Sequence, residues 1–306
     1  MREGALVLGQ LFNGLSVGSI LLLAALGLAL TFGLMRVINM AHGEFLMVGG
    51  YLAYLAHLWV PGPLFPLPAL LFGFVGAALL GLLLEWAVIR HLYGRPLETL
   101  LATWGVSLLL QQAARNLFGP TGVEVTAPSW LQGALTVDRG ALAGLVLPHV
   151  RFFVLVLSGA VLAGVWGMLH GTRMGLYVRA VNQDREVCGI LGVFTPRVDR
   201  AIFALGSGLA GLAGAVLALI APVTPTVGQS YIVDAFLVVI VGGLGSLVGT
   251  ALASGIVGVL SSALQVFTSV SFAKVLLLLT VVAFLQLRPR GLVSVRSRAL
   301  EEGSRG

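Results

Sequence analysis

Long apolar runs separated by short polar punctuation make up most of this chain. A helix that crosses a bilayer needs about 20 predominantly apolar residues. Runs near that length lie at 8–34, 44–60, 67–90, 97–117, 150–171, 201–221, 232–248, 249–268 and 271–287. The pattern predicts an all-α, polytopic membrane protein of about 8–10 transmembrane helices, forming a single domain over 1–306. Two interruptions predict broken or re-entrant segments, near 37–45 and near 234–247. In the first, Asn39, His42 and Glu44 stand within Val37–Phe45, with Gly49 and Gly50 just beyond. Irregular backbone or a charge at membrane depth is tolerated only where protein or a water-filled path surrounds it. Glu44 is therefore interfacial, a structural cap partner for Asn39, or part of a permeation pathway. In the second, Asp234 leads into an apolar run that ends at Gly242-Gly243-Leu244-Gly245-Ser246. Interrupted helices in both halves point to a central translocation site.

The polar punctuation is uneven. Eight of the thirty charged side chains fall in 171–200: Arg173, Arg179, Asp184, Arg185, Glu186, Arg197, Asp199 and Arg200. Met174, Tyr177, Val178, Val181 and Cys188 fall close to one helical face there, and Arg179, Asp184, Arg185 and Glu186 project elsewhere. Gly189 and Gly192 bracket its end, and Pro196 restarts the chain. A short amphipathic helix at a membrane surface is a suitable handle for another protein.

Within the fourth run, Thr103, Ser107, Gln111 and Arg115 follow at i+4 steps and make one polar stripe. Such a stripe joins neighbouring helices by hydrogen bonds or lines a substrate route. Gly206, Gly208, Gly211 and Gly214 give the sixth run a small-residue face suited to close helix packing. The loop 118–149, stiffened by Pro120, Pro128 and Pro148, is long enough to receive a partner.

Composition narrows the function. With 58% hydrophobic and 10% charged residues, the chain has no room for a soluble catalytic domain. Its net charge of +6 comes mostly from arginines clustered in a few loops. That clustering is the positive-inside pattern of a membrane protein and not a nucleic-acid surface. It places the N-terminus outside, with the 171–200 loop and the tail at 288–306 inside. The lone Cys188 rules out an internal disulfide, and His42-Gly43-Glu44 lacks the spacing of a helical zinc site. No metal or cofactor is expected. There is no Walker motif, nucleophile elbow or His-Glu-x-x-His, so catalysis and P-loop ATP binding are not expected of this chain.

INMAHGEF, RAVNQDREVCGILGV and VVIVGGLGSLVGT, in this order, resemble the permease subunits of ATP-binding-cassette importers of the branched-chain amino acid type. The Gln111-Gln112 pair, Pro128-Ser129-Trp130 and Ser230–Gly243 with Asp234 look like the urea-permease (UrtB-type) branch of that family. The resemblance implies a bacterial inner-membrane assembly of two different permeases and two ATP-binding subunits, fed by an external binding protein. It implies that 171–200 is the coupling loop, with Arg179, Asp184, Arg185, Glu186 and Gly189 meeting an ATPase. Asn39, His42, Glu44, Thr103, Gln111 and Asp234 are the expected pathway residues. Urea is the expected cargo, because neutral polar groups match its amide-like donors and carbonyl. The alternatives are a branched-chain amino acid permease, a passive urea channel and an ion-coupled carrier.

Overall fold

The computed structural model describes residues 2–35, 37–137 and 145–293; Arg36, the tip of the 118–149 loop and the tail from residue 294 onward lie outside the described residues. In chain order the elements are α1 (Arg2–Met35), α2 (His42–Trp59), α3 (Pro66–Ala87) and α4 (Pro96–Phe118). A one-turn α5 (Ser129–Gln132) and a hairpin of β1 (Ala134–Val137) and β2 (Leu145–Pro148) follow. Then come α6 (His149–Gly171), α7 (Arg173–Gln183), α8 (Arg185–Ile190), α9 (Thr195–Ala218), α10 (Val227–Gly242), α11 (Leu247–Phe267) and α12 (Val270–Leu287).

Each predicted apolar run corresponds to one helix, and six of these, α1, α3, α6, α9, α11 and α12, are long and apolar enough to cross a membrane. The all-α expectation holds apart from the small antiparallel hairpin, which pairs Ala134 with Pro148 and Val137 with Leu145. Helix starts follow local chemistry. Pro66, Pro96 and Pro196 occupy first turns, where a missing N–H costs nothing. Thr172, Ser246 and Ser269 cap α7, α11 and α12 by accepting a backbone N–H.

The centre of the bundle is α9, whose residues from Gly206 to Ala218 are almost all buried. Its glycines are the reason. Gly206 meets Gly27 of α1, Gly211 lies against Gly49 of α2 and Gly73 of α3, and Gly214 meets the Leu46 carbonyl. A Cβ at any of these positions would strike backbone. Around this core, α4, α6 and α12 turn leucine, valine, phenylalanine and tryptophan side chains outward, as lipid-facing helices do.

The first predicted interruption is present, between α1 and α2. The chain leaves α1 at Met35, turns at Asn39–Ala41, and begins α2 at His42, whose Nε2 lies 3.0 Å from the Ala24 carbonyl. Ala24 is eleven residues before the end of α1, or ~16 Å along the helix at 1.5 Å per residue. Thus α2 starts deep inside the bundle. So does α10, because Gly228 in its first turn touches Gly43 in the first turn of α2. The chain reaches that point from α9 through residues 219–226, where Val223 and Val123 exchange backbone hydrogen bonds of 2.9 and 3.0 Å.

The second predicted interruption is present as well, at 243–246, where Gly243 and Gly245 take φ of 99° and 79°; Asp234 lies inside the helix α10 that leads into it. One expectation needs correction. The 171–200 segment forms two helices, not one. Asp184 ends α7 and caps α8, and α9 begins at Thr195, earlier than its apolar pattern indicates.

Glycine contacts of this kind predict a sharp contrast. Gly214→Ala should markedly lower the yield of monodisperse membrane-extracted protein, because overpacking costs about 1–3 kcal/mol or more. Gly105→Ala, with no neighbouring atom within 4 Å of the added Cβ, should leave the yield unchanged in the same size-exclusion assay.

Candidate functional site

The start of α2 is a buried polar centre. Asn39 Oδ1 accepts the Ala41 N–H at 3.0 Å, and the Met40 N–H donates to Thr103 Oγ1 at 3.0 Å. These side chains satisfy backbone that the missing helix leaves bare. Because a carbonyl can only accept, the His42 nitrogen facing Ala24 carries its proton. Glu44 is 1% exposed. Its Oε1 accepts from Gln111 Nε2 at 2.8 Å and from Ser107 Oγ at 2.9 Å. Its Oε2 has no partner and points toward Gly228, where a Cβ would sit 2.9 Å away.

Asn39, His42, Glu44, Thr103 and Gln111 are therefore brought together. The polar stripe of α4 binds α2, with Thr103, Ser107 and Gln111 all buried, whereas Arg115 turns outward. Glu44 is neither interfacial nor bonded to Asn39; its side chain joins α2 to α4. It also lies in the first turn of α2, beside the start of α10. The first turns of α2 and α10 thus meet beside this carboxylate.

Asp234 belongs to a different place. Its Oδ2 lies 3.3 Å from Lys274 Nζ on α12, and Lys274 also donates to the Ser230 carbonyl at 3.1 Å. The lysine side chain is 43% exposed and the aspartate 17%. Gln229 and Ser230 beside them are exposed. This polar patch opens on the outside of the subunit, between helices whose other exposed residues are mostly apolar.

In the 171–200 segment most of the expected contact residues are occupied within the chain. Arg179 donates to the Leu169 carbonyl. Asp184 accepts the Val187 N–H at 2.9 Å. Arg185 forms a two-pronged pair with Asp199, one prong at 3.3 Å. Glu186 and Gly189 remain exposed. Cys188 is buried, while the residues around it form an exposed apolar tip: Val187, Ile190 at 85%, Leu191 at 76% and Phe194. Reading the segment for its charges missed that tip, although Val187-Cys188-Gly189-Ile190-Leu191 is an apolar island in the most polar stretch of the chain.

Glu85 and Tyr93 were missed as well. Glu85, 1% exposed near the end of α3, faces Arg200 at 3.3 Å and accepts from Tyr93 Oη at 3.3 Å. Burial, and then the nearby Asp199 and Glu85 carboxylates, push the Tyr93 phenol well above its usual range, so it stays a donor. Among the described residues no three His, Cys, Asp or Glu side chains gather to hold a metal ion.

Broken helices that meet at a buried polar centre, in a bundle with lipid-facing flanks, define a transport protein of the membrane. The chain belongs to the family described as branched-chain amino acid transport system / permease component, which it matches over residues 10–285. It is 29% identical to the high-affinity branched-chain amino acid transport system permease protein BraD of Pseudomonas aeruginosa, over 82% of this chain and 84% of that one. It is 26% identical to the corresponding LivH of Escherichia coli, over 94% and 95%. It is 27% identical to a probable branched-chain amino acid transport permease protein LivH of Methanocaldococcus jannaschii, over 98% and 93%. No solved structure matches the chain. The family resemblance seen in the sequence is thus established, and these three relatives carry branched-chain amino acid and not urea in their names.

The bonding of Glu44 makes a testable distinction. Glu44→Gln retains an oxygen for Ser107 and Gln111 and should leave the thermal midpoint in detergent within a few degrees. Glu44→Leu strands both donors and should lower it clearly, at about 1–3 kcal/mol per unsatisfied buried group. Equal losses in the two variants would mean that the charge, not the bonding, holds α2 to α4.

Proposed function

We propose that this chain is one of two permease subunits of an ATP-driven importer, and that its cargo is a branched-chain amino acid, not urea. The observation that carries the cargo assignment is the Asp234–Lys274 pair. The urea expectation rests on neutral polar groups and on a scarcity of cations within the spans, where Lys274 and Arg115 are among the few. Lys274 is such a cation, half open, with an acidic partner beside it. A zwitterion can satisfy both charges by partner exchange, its ammonium going to Asp234 and its carboxylate to Lys274. The names of the relatives point the same way. Urea, being uncharged, gains nothing from breaking the pair.

The remaining parts fit that reading. ATP hydrolysis comes from two separate subunits, and an external binding protein delivers the cargo. With the 171–200 segment on the cytoplasmic side, the N-terminus lies outside. The ATPase then docks mainly on the apolar tip Val187, Ile190, Leu191 and Phe194, because most of the charged residues in this loop already have partners within the chain. Exposed apolar groups of this size are unfavourable in water and are the usual centre of a protein interface.

Two measurements check this. Cells dependent on the importer should take up radiolabelled leucine with ATP present, and excess urea should not compete. Asp234→Asn or Lys274→Met should each cut leucine uptake by roughly tenfold, equivalent to about 1.4 kcal/mol. Urea uptake that disappears on deletion of this chain, with leucine uptake intact, would return the assignment to urea. For the docking surface, Ile190→Asp combined with Leu191→Asp should abolish co-purification of the ATPase. Glu186→Lys should weaken it by no more than about threefold, as expected for a rim charge.

A further inference from the structure

Five side chains close a circuit at the end of the bundle that carries the 171–200 segment. Arg185 of α8 grips Asp199 of α9 with both prongs of its guanidinium. The same guanidinium lies 5.4 Å over the ring of Tyr93, in the link between α3 and α4. Tyr93 donates to Glu85 of α3 at 3.3 Å. Glu85 faces Arg200 at 3.3 Å, and Arg200 adjoins Asp199 in sequence. The circuit holds two positive and two negative charges. Both carboxylates are buried, while the two arginine side chains are 45% and 41% exposed.

We propose that this circuit is the mechanical link between the loop and the membrane-spanning body, with Arg185, Tyr93, Glu85 and Arg200 as positioning residues for transport. The proposal rests on the coupling role given to the loop above. Its physical basis is asymmetry of burial. If α8 moved away from α9, the buried Asp199 carboxylate would lose its counter-charge, which is a far larger penalty than losing an exposed pair. So α8 and α9 move together. Glu85 extends the same constraint to α3 through Arg200 and Tyr93.

The two pairs differ in stiffness. Arg185 and Asp199 are locked in a two-pronged geometry, whereas Arg200 Nε and Glu85 Oε2 are close without hydrogen-bond alignment. The second contact can slide while keeping its attraction. From α9 the displacement reaches the deep centre directly, since Gly211 and Gly214 touch α2 backbone within two turns of Glu44. A push on the loop therefore arrives where α2 and α10 begin.

The test uses the complete importer, reconstituted in proteoliposomes with its ATPases and binding protein, and reads ATP hydrolysis and leucine uptake in the same sample. Asp199→Asn and Glu85→Gln should keep the ATPases bound and hydrolysis within about twofold of wild type, while uptake falls at least about tenfold. Tyr93→Phe removes one hydroxyl and is the least disruptive variant; it should raise the ATP hydrolysed per leucine by roughly threefold. The exchanged pair, Glu85→Arg with Arg200→Glu, should recover much of the uptake that Glu85→Gln loses. Hydrolysis and uptake falling in parallel in every variant, or unchanged uptake in Tyr93→Phe and Asp199→Asn, would overturn the proposal. A failure of the coupling reading itself shows separately, as ATPases that still co-purify with the Ile190→Asp, Leu191→Asp chain.

Discussion

The contact of α9 with α1, α2 and α3 through glycine is the constraint on which the other features depend. Lipid tails supply no hydrophobic force between helices, so association rests on close van der Waals packing. Gly206, Gly211 and Gly214 let backbones approach until a single added carbon would collide. That approach fixes the depth of α2 against α9, and through Gly43 and Gly228 it fixes α10 against α2. Both half-buried helix starts are positioned by the same kind of contact.

Acidic side chains within the apolar helices show three ways of meeting one cost. An unpaired charge in a bilayer costs at least about 2.5–3.5 kcal/mol. Glu44 meets it with two neutral donors from α4. Asp234 meets it with Lys274 on an open face. Glu85 and Asp199 meet it with arginines rooted in the polar segment, which ties membrane helices to a surface loop. The first solution is buried, the second lies on an exposed face, and the third reaches into the polar segment. This division gives different surroundings to residues that look alike in the sequence.

The polar segment likewise divides. Asp184 caps α8, Arg179 holds α7 to the end of α6, and Arg185 with Asp199 joins α8 to α9. The apolar residues of the segment face out at the tip.

The nine apolar runs, the break before α2, the stripe on α4 and the glycine face of α9 could all be read from the sequence. Each is a local pattern with a period, and a membrane enforces such patterns because every backbone polar group must be satisfied within the span. The break at 243–246 was legible too, from its glycines, but the partner of Asp234 was not, because Lys274 lies forty residues later on another helix. The Arg185–Asp199 pair and the Glu85–Tyr93–Arg200 contacts were invisible for the same reason. Charge pairing across helices carries no periodic signal, and the identity of a partner is settled only when packing brings two spans together. The meeting of α2 and α10 at Gly43 and Gly228 is likewise a tertiary fact. Glycine marks a place where backbone can come close, and the fold alone decides which backbone does.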